Sequence, residues 1–183
     1  MRYLLARLNA DDVFVDVGAH AGYFSLIANI LGAVAYAIEP QRDLIRVIER
    51  NAVLNEADRL HPLMLAVSDH EGLTCIMRLG GSPGMQMHGE LNRNNPPTAR
   101  NRHVDWVPTA RLDGLFLDPL IRPQIVKIVV EGLEMRALAG AAGLIARQET
   151  AFIVELHPHL IAGFGGSLDA LTGHFGSPAW RVI

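Results

Sequence analysis

The feature that most constrains the fold is a regular alternation of short apolar runs with amphipathic segments of helical spacing. Apolar runs rich in β-branched residues at 13–15, 34–38 and 63–67 predict buried strands. Between them, apolar residues recur at the spacing of one helix face over 22–31 and 42–55. This alternation is typical of a mostly parallel sheet with helices on both faces, that is, a doubly wound α/β fold.

The alternation breaks once and then resumes. Residues 78–103 contain paired glycines and prolines, several arginines and little periodicity, which predicts a long loop. Such a loop is either a substrate lid or a solvated connection. Further strands are predicted at 125–130, 151–156 and 179–183, and further helices at 133–146 and 168–175. Nothing divides the pattern into two units, so we predict a single domain over 1–183.

The composition narrows the class of protein. Half of the residues are apolar and 19% are charged, which is too apolar for a disordered chain. A single cysteine, Cys75, excludes a disulfide within the chain and favours a reducing compartment. The net charge of −3 provides no positive field for nucleic acid or an anionic membrane. The longest apolar run, 26–38, is interrupted and too short to span a bilayer, so we expect a soluble cytoplasmic protein without a targeting segment.

The first strand, turn and helix predict a nucleotide-type cofactor site. Gly18 and Gly22 bracket the turn, and Asp16 ends the strand before it. Glu39 ends the next strand, where a carboxylate can accept hydrogen bonds from ribose hydroxyls. The G-x-x-x-G spacing differs from the G-x-G-x-x-G of dinucleotide sites, and Asp16 suits an amine better than a pyrophosphate. S-adenosylmethionine is therefore favoured over NAD; the alternative is an ordinary glycine turn of a doubly wound protein.

Several segments together resemble the FkbM-type methyltransferases. They are residues 12–40 and the stretches ERNAVLNE, AVSDHEG, TARLDGL, VKIVVEGLEMRALAGA and FIVELHP, in register as far as Pro158. The EG-x-E element and the ELH that follows point to this family in particular. The resemblance implies a Rossmann-like class I methyltransferase fold and an S-adenosylmethionine-dependent enzyme. Most such enzymes methylate an oxygen, on sugar or polyketide hydroxyls.

The resemblance also assigns roles by position. The residues implied at the methionine end of the cofactor are Asp16, Gly18, Ala19 and His20. Glu39 is implied at the ribose, and Ser68 and Asp69 beside the adenine. The family often has asparagine in place of His20, so a turn residue bonded to backbone is an equal alternative for that histidine.

The chain departs from the family pattern in the fourth strand. The pattern is roughly K-I-D-V-E-G, and Val129 takes the place of the aspartate. A valine cannot accept a proton or bind a metal. The remaining candidates for a catalytic base are Glu131, Lys127 and His157, because each lies at or near the end of a predicted strand. For Lys127 the alternative is an ion pair with a carboxylate, and for Glu131 a favourable position in the first turn of a helix. No metal site is predicted, since His157 and His159 lack a carboxylate at a fitting spacing.

The end of the sequence predicts a sheet shortened at one edge. Only about 25 residues follow Pro158, whereas class I methyltransferases usually finish with two further strands. An exposed edge invites pairing, so a homodimer is one hypothesis. The leading function is methyl transfer from S-adenosylmethionine to a hydroxyl of a small molecule or sugar. The alternatives are a cofactor-binding relative without catalysis, motivated by Val129, and, more remotely, an NAD-linked oxidoreductase.

Overall fold

A computed structural model describes residues 2–77, 104–117, 121–178 and 180. The predicted loop at 78–103, and the predicted strand at 179–183 apart from Trp180, lie outside the described residues. The strands are β1 (Val13–Val17), β2 (Val34–Ile38), β3 (Leu60–Leu63), β4 (Ala66–Val67), β5 (Gly72–Met77), β6 (Val104–Ala110), β7 (Pro123–Ile128) and β8 (Ala151–Val154). The helices are α1 (Arg2–Arg7), α2 (Tyr23–Ile30), α3 (Arg42–Leu54), α4 (Leu112–Phe116), α5 (Glu134–Ala139), α6 (Ala142–Arg147), α7 (Pro158–Gly163) and α8 (Leu168–Gly173).

The main sheet is parallel and has the strand order β3-β2-β1-β7-β8. Strand β1 lies in its centre, with Asp16 in register with Ala37 of β2 and with Lys127 of β7. Because the strands are parallel, their carboxyl ends all lie at one edge of the sheet. The order reverses beside β1, as in doubly wound folds that bind ligands at that point. The predicted Rossmann-like α/β class is confirmed.

Two apolar clusters cover the two faces of this sheet. Phe14 of β1 packs into one cluster with helices α1, α2 and α3, whereas Val15 and Val17 pack into the other with helices α4 to α8. The alternation along β1 follows from the opposite directions of successive strand side chains. It places Asp16 on the same face as Phe14, toward α2.

A second, smaller sheet has the strand order β4-β6-β5. Strands β4 and β6 are parallel, and β5 and β6 are antiparallel. The predicted strand at 63–67 spans both sheets, since β3 ends at Leu63 beside β2 and β4 pairs with β6 instead. A continuous apolar run does not reveal this change of partner, because both strands bury apolar side chains.

Two further predicted elements differ in extent: one helix is divided in two, and one strand ends early. The helix predicted at 133–146 is divided into α5 and α6 at Gly140, where a Cβ atom would overlap the carbonyl oxygen of Ser68. The strand predicted at 125–130 ends at Ile128, and Glu131 has a positive φ of 47°. Glu131 therefore lies in a turn before α5, not in the first turn of a helix, and strand alternation does not extend to it.

The remaining differences concern elements that the sequence pattern did not predict: α1, β5, β6, α4 and α7. At the other side of the main sheet, β8 is the last strand among the described residues. None of the helices in the described part of the chain is both long and apolar enough to cross a membrane.

Candidate active site

A cleft of about 250 Å³ lies at the carboxyl ends of β1, β2 and β7. Its volume is slightly below the ~300–1,000 Å³ typical of small-molecule pockets. The lining residues that matter for chemistry are Gly18, His20, Glu39, Gln41, Val129 and Glu131. In open α/β sheets this edge is where ligands bind, so the cleft is the candidate active site.

Asp16 forms a buried ion pair near the end of β1 and is not among the described residues that line the cleft. Lys127 Nζ donates to its Oδ1 at 2.8 Å, and Ser25 Oγ donates to its Oδ2 at 2.8 Å. The Asp16 side chain is fully buried, and that of Lys127 is 9% exposed. The Lys127 ammonium also lies 5.1 Å from the centre of the Phe24 ring. Both Asp16 oxygens are thus used within the chain, and Lys127 has the ion-pair partner that was its alternative interpretation.

The two glycines of the first turn are required by the packing of the chain itself. A Cβ on Gly18 (φ 73°) would overlap the carbonyl oxygen of Val129. A Cβ on Gly22 (φ 79°) would lie 3.2 Å from the Ile48 side chain in α3. The amides of Gly18 and Ala19 both donate to the Ile38 carbonyl at 3.0 Å. The turn after β1 is therefore fixed to the ends of both neighbouring strands.

Glu39 is buried at the cleft wall and held by backbone. Its Oε2 accepts a hydrogen bond from the His20 amide and its Oε1 from the Gln41 amide, each at 3.0 Å. Burial raises the pKa of Glu39 to about 7, although these two hydrogen bonds lower it. The negative charges of Asp16 and Glu131 raise it further. An ionised carboxylate has about four acceptor positions. Two of them stay available to a ligand.

The charge of the cleft favours a cationic ligand. Its described lining residues include the acids Glu39 and Glu131 and contain no lysine or arginine. Glu131 also adopts the left-handed backbone conformation, which is strained for a residue with a side chain and is common at functional sites. Beside Glu131 a sulfonium or an amine would be stabilised, whereas a pyrophosphate would be repelled.

A second polar group lies at the end of β8. His157 Nδ1 is 2.9 Å from Glu134 Oε1, and His157 Nε2 is 3.7 Å from Glu155 Oε1. Glu134 is completely buried, and its Oε2 has no hydrogen-bond partner in the described part of the chain. His157 is not among the described residues that line the cleft, but β8 is the neighbour of β7 at the same sheet edge.

The residues implied at the adenine lie just beyond the cleft. Ser68 follows β4 and donates from its hydroxyl to Asp69 Oδ1 at 3.1 Å. His70 Nδ1 lies 2.7 Å from the same oxygen, and this hydrogen bond is the main cause of a lowered Asp69 pKa. Ala19, Ser68 and Asp69 are not among the described lining residues, although Val67, directly before Ser68, is. Within the described ranges, no cluster of three or more His, Cys, Asp or Glu side chains could hold a metal ion.

Three site residues were not singled out from the sequence: Ser25, Gln41 and Glu134. Ser25 lies on the helix face that meets Asp16, and Gln41 contributes a backbone amide, which no side-chain pattern reveals. Glu134 is the second glutamate of the EG-x-E element. That motif was the only sequence signal for Glu134, and it did not indicate what the residue does.

Comparison with known proteins agrees with this geometry. The family model described as the methyltransferase FkbM domain matches residues 16–172. Precorrin-6y C5,15-methyltransferase from Geobacter metallireducens GS-15 is similar in fold, with a TM-score of 0.52 and 15% identity over 94% of this chain and 69% of that one. A SAM-dependent methyltransferase from Aquifex aeolicus aligns over 34% of this chain and 36% of its own, with 18% identity and a TM-score of 0.31.

None of the curated protein sequences matches the chain significantly. The family match covers most of the chain, and the fold is similar to that of a solved methyltransferase structure. The chain belongs to the FkbM methyltransferase family.

Proposed function

We propose that this protein transfers a methyl group from S-adenosylmethionine to a hydroxyl oxygen of a small molecule or sugar. The observation that carries the proposal is the charge pattern of the cleft. Glu39 and Glu131 line it, without lysine or arginine among the described lining residues. This pattern suits a cofactor that carries a sulfonium and an amine, and it disfavours the pyrophosphate of NAD.

The residues present fit this cofactor. The two free acceptor positions of Glu39 suit the two ribose hydroxyls, and the backbone of residues 18–20 would face the methionine end. The carboxylate of Glu131 would lie on the cationic side. When bound, S-adenosylmethionine supplies a methyl group on a positively charged sulfur, ready for in-line displacement.

Of the three candidate bases, His157 fits the acceptor side best. Lys127 is held in the ion pair with Asp16. Glu131 lies in the same cleft as Glu39, whose pKa its charge raises, and we place it near the cofactor. His157 lies at the end of β8, next to β7 and on the far side of the cleft from β2 and Glu39. We place the acceptor over the ends of β7 and β8.

The partners follow from the same proposal. The acceptor is a small molecule or a sugar, with neither nucleic acid nor a membrane as partner, and the protein is cytoplasmic. No strand among the described residues pairs with the outer edge of β8, and a second copy of the chain would pair there to form a homodimer. Size-exclusion chromatography at high protein concentration tests the dimer, and a purely monomeric profile would contradict it.

The direct test is calorimetric titration of the purified protein with S-adenosylmethionine and with NAD. We expect binding of the first and none of the second. A Glu39→Ala variant should bind S-adenosylmethionine at least tenfold more weakly, because both ribose contacts are lost, while a Glu149→Ala variant on the exposed surface should bind normally. Binding of NAD instead would overturn the proposal. A panel of sugar and polyketide hydroxyl acceptors, read out by S-adenosylhomocysteine release, tests the transfer.

A second candidate is a relative that binds the cofactor without catalysing transfer. It is favoured by Val129, which lines the cleft at the position where the family has an aspartate. The Val129→Asp variant separates the two proposals. A gain of methyl transfer in the variant favours the non-catalytic relative, whereas a loss favours an active site built around valine.

A further inference from the structure

We infer that Glu134 is the positioning residue that holds His157 ready to accept the proton of the acceptor hydroxyl. This inference rests on the proposed function, which it deepens by assigning the state and orientation of the base. Glu134 lies at the start of α5 and His157 directly before α7, so the contact joins two elements that are 23 positions apart in the sequence.

The two ring nitrogens of His157 have different surroundings. Glu134 is completely buried, and the His157 side chain is 22% exposed, so the contact has an inner and an outer end. Nδ1 of His157 faces inward to Glu134 Oε1 at 2.9 Å. Nε2 is directed away from Glu134, and its nearest carboxylate, the 66% exposed Glu155, is 3.7 Å away, too far for a hydrogen bond. Nε2 is therefore the ring nitrogen that has no hydrogen bond among the described residues.

Glu134 determines which ring nitrogen of His157 carries the proton. An ionised carboxylate only accepts hydrogen bonds, so a neutral His157 bonded to Glu134 carries its proton on Nδ1. The lone pair is then on Nε2, which is the form that a general base requires. This tautomer is assigned from the hydrogen-bonding chemistry of the two groups.

The pair is also connected to the wall of the cleft. A Cβ on Gly132 (φ 102°) would lie 2.7 Å from Leu160 Cβ, so the turn that carries Glu131 packs directly on α7. His157 is the residue before that helix, and Glu134 follows that turn. The cleft wall and the histidine are thus parts of one packed unit at the end of β7 and β8.

The burial of Glu134 is difficult to explain by stability alone. Its Oε2 is buried without a hydrogen-bond partner among the described residues. A buried carboxyl that is only partly satisfied costs free energy, and an apolar side chain of similar size would stabilise the fold at least as well. A contact that orients a base gives the carboxylate a function that an apolar residue lacks.

Proton transfer to His157 accompanies the methyl transfer. As His157 Nε2 takes the hydroxyl proton, the acceptor oxygen forms a bond to the methyl carbon, and the electrons of the breaking carbon–sulfur bond stay on sulfur. The products are the methyl ether, neutral S-adenosylhomocysteine and a protonated His157. Glu134 stabilises the resulting imidazolium until its proton passes to solvent.

The principal test is Glu134→Gln. Its amide can donate to Nδ1, which moves the ring proton to Nε2 and removes the lone pair that the step needs. We expect kcat to fall by ~10²–10⁴-fold, the contribution typical of general bases, with the S-adenosylmethionine Kd within twofold of the wild type. Glu149→Gln, an exposed glutamate outside the pair, is the matched control and should change kcat by less than threefold.

A second variant distinguishes positioning from a general structural effect. If Glu134 acts through His157, the double variant Glu134→Gln/His157→Gln should be no slower than His157→Gln alone. Additive losses would overturn the inference, as would an unchanged kcat in Glu134→Gln.

A measurement on the protein alone separates this inference from the proposed function. The ¹⁵N shifts of His157, assigned by comparison with His157→Gln, should show the Nδ1–H tautomer in the wild type and its loss in Glu134→Gln. An Nε2–H tautomer in the wild type overturns the role of Glu134 even if methyl transfer is found. A wild type that neither binds S-adenosylmethionine nor transfers methyl overturns the proposed function, while the tautomer still shows whether Glu134 sets the state of His157.

Discussion

The two halves of the sheet's carboxyl edge are built differently. At the ends of β1 and β2, each carboxylate oxygen of Asp16 and Glu39 has a partner from the chain itself. At the ends of β7 and β8, the backbone turns through a left-handed Glu131 and Gly132, and Glu134 leaves one oxygen without a partner among the described residues. The first half, here called the framework, has every one of these carboxylate oxygens bonded within the chain. The second half contains a buried carboxylate oxygen that no described residue bonds.

The difference explains which motif residues serve structure. Asp16 lies near the end of β1, and Gly18 and Gly22 lie in the turn that follows. Asp16 pairs with Lys127, and the two glycines leave room for Val129 and Ile48. Backbone position and packing at this end leave a rigid surface against which a cofactor can bind.

The largest effect is expected from Lys127→Met. It leaves the Asp16 carboxylate buried without its cation, and removing one partner of a buried pair typically costs ~3–5 kcal/mol. Urea unfolding of the variant and the wild type measures this loss. The Asp16→Asn/Lys127→Met double variant should recover part of it, because no charge then stays buried. A loss below 1 kcal/mol would show that the pair is not important to the framework.

Gly18→Ala comes next. The substitution places a Cβ against the Val129 carbonyl and forces a side chain into a left-handed conformation, at a combined cost of about 2–4 kcal/mol. Gly163→Ala is the control, since no atom lies within 4 Å of its Cβ position, and it should be neutral or stabilise by up to about 1 kcal/mol. Thermal unfolding of both variants measures the contrast, and equal effects would refute the packing role of Gly18.

Glu39 should make stability depend on pH. Its pKa is about 7 in the folded protein and near 4.5 when unfolded, so the folded state holds more protons between these values. Stability relative to a Glu39→Gln variant should be greatest below pH 4.5. It should fall by up to about 3 kcal/mol as the pH rises through 7. Parallel urea titrations from pH 4 to 8 measure this difference, and a difference that stays constant or rises with pH would contradict the raised pKa of Glu39.

The smallest effect is expected from Asp11→Asn. Asp11 and Arg59 are 2.7 Å apart, as close as the buried pair, but the Asp11 side chain is 82% exposed. Exposed pairs contribute less than about 1 kcal/mol, and asparagine tolerates the positive φ at this position. The same urea measurement applies. A loss as large as that of Lys127→Met would mean that distance, not burial, decides the strength of these pairs.

The sequence pattern predicted the helices and strands that are defined by residues close together in the chain. Strand β2 and helix α3 were placed within a residue of their bounds, because each has one buried face and clear boundaries. The sheet change between β3 and β4, and the ending of β7 at Ile128, depend on which distant strand pairs with which. A local pattern does not contain that information.

The same limit applies to the site. Strand ends and carboxylates located the cleft, and the structure places Gly18, His20, Glu39 and Glu131 around it. The contact of Glu134 with His157 joins residues from separate elements, so spacing along the chain does not reveal it. The partner of Asp16 is a single lysine 111 positions away.

That separation has a consequence for how the chain folds. β1 is the central strand, but its neighbour β7 is synthesised only after about a hundred further residues, so the middle of the sheet closes late. Until then a nascent chain presents one unpaired edge of β1 together with an acidic group that has no cation. Such an intermediate can associate with other chains through this edge, and the longer β7 takes to arrive, the longer the edge stays exposed.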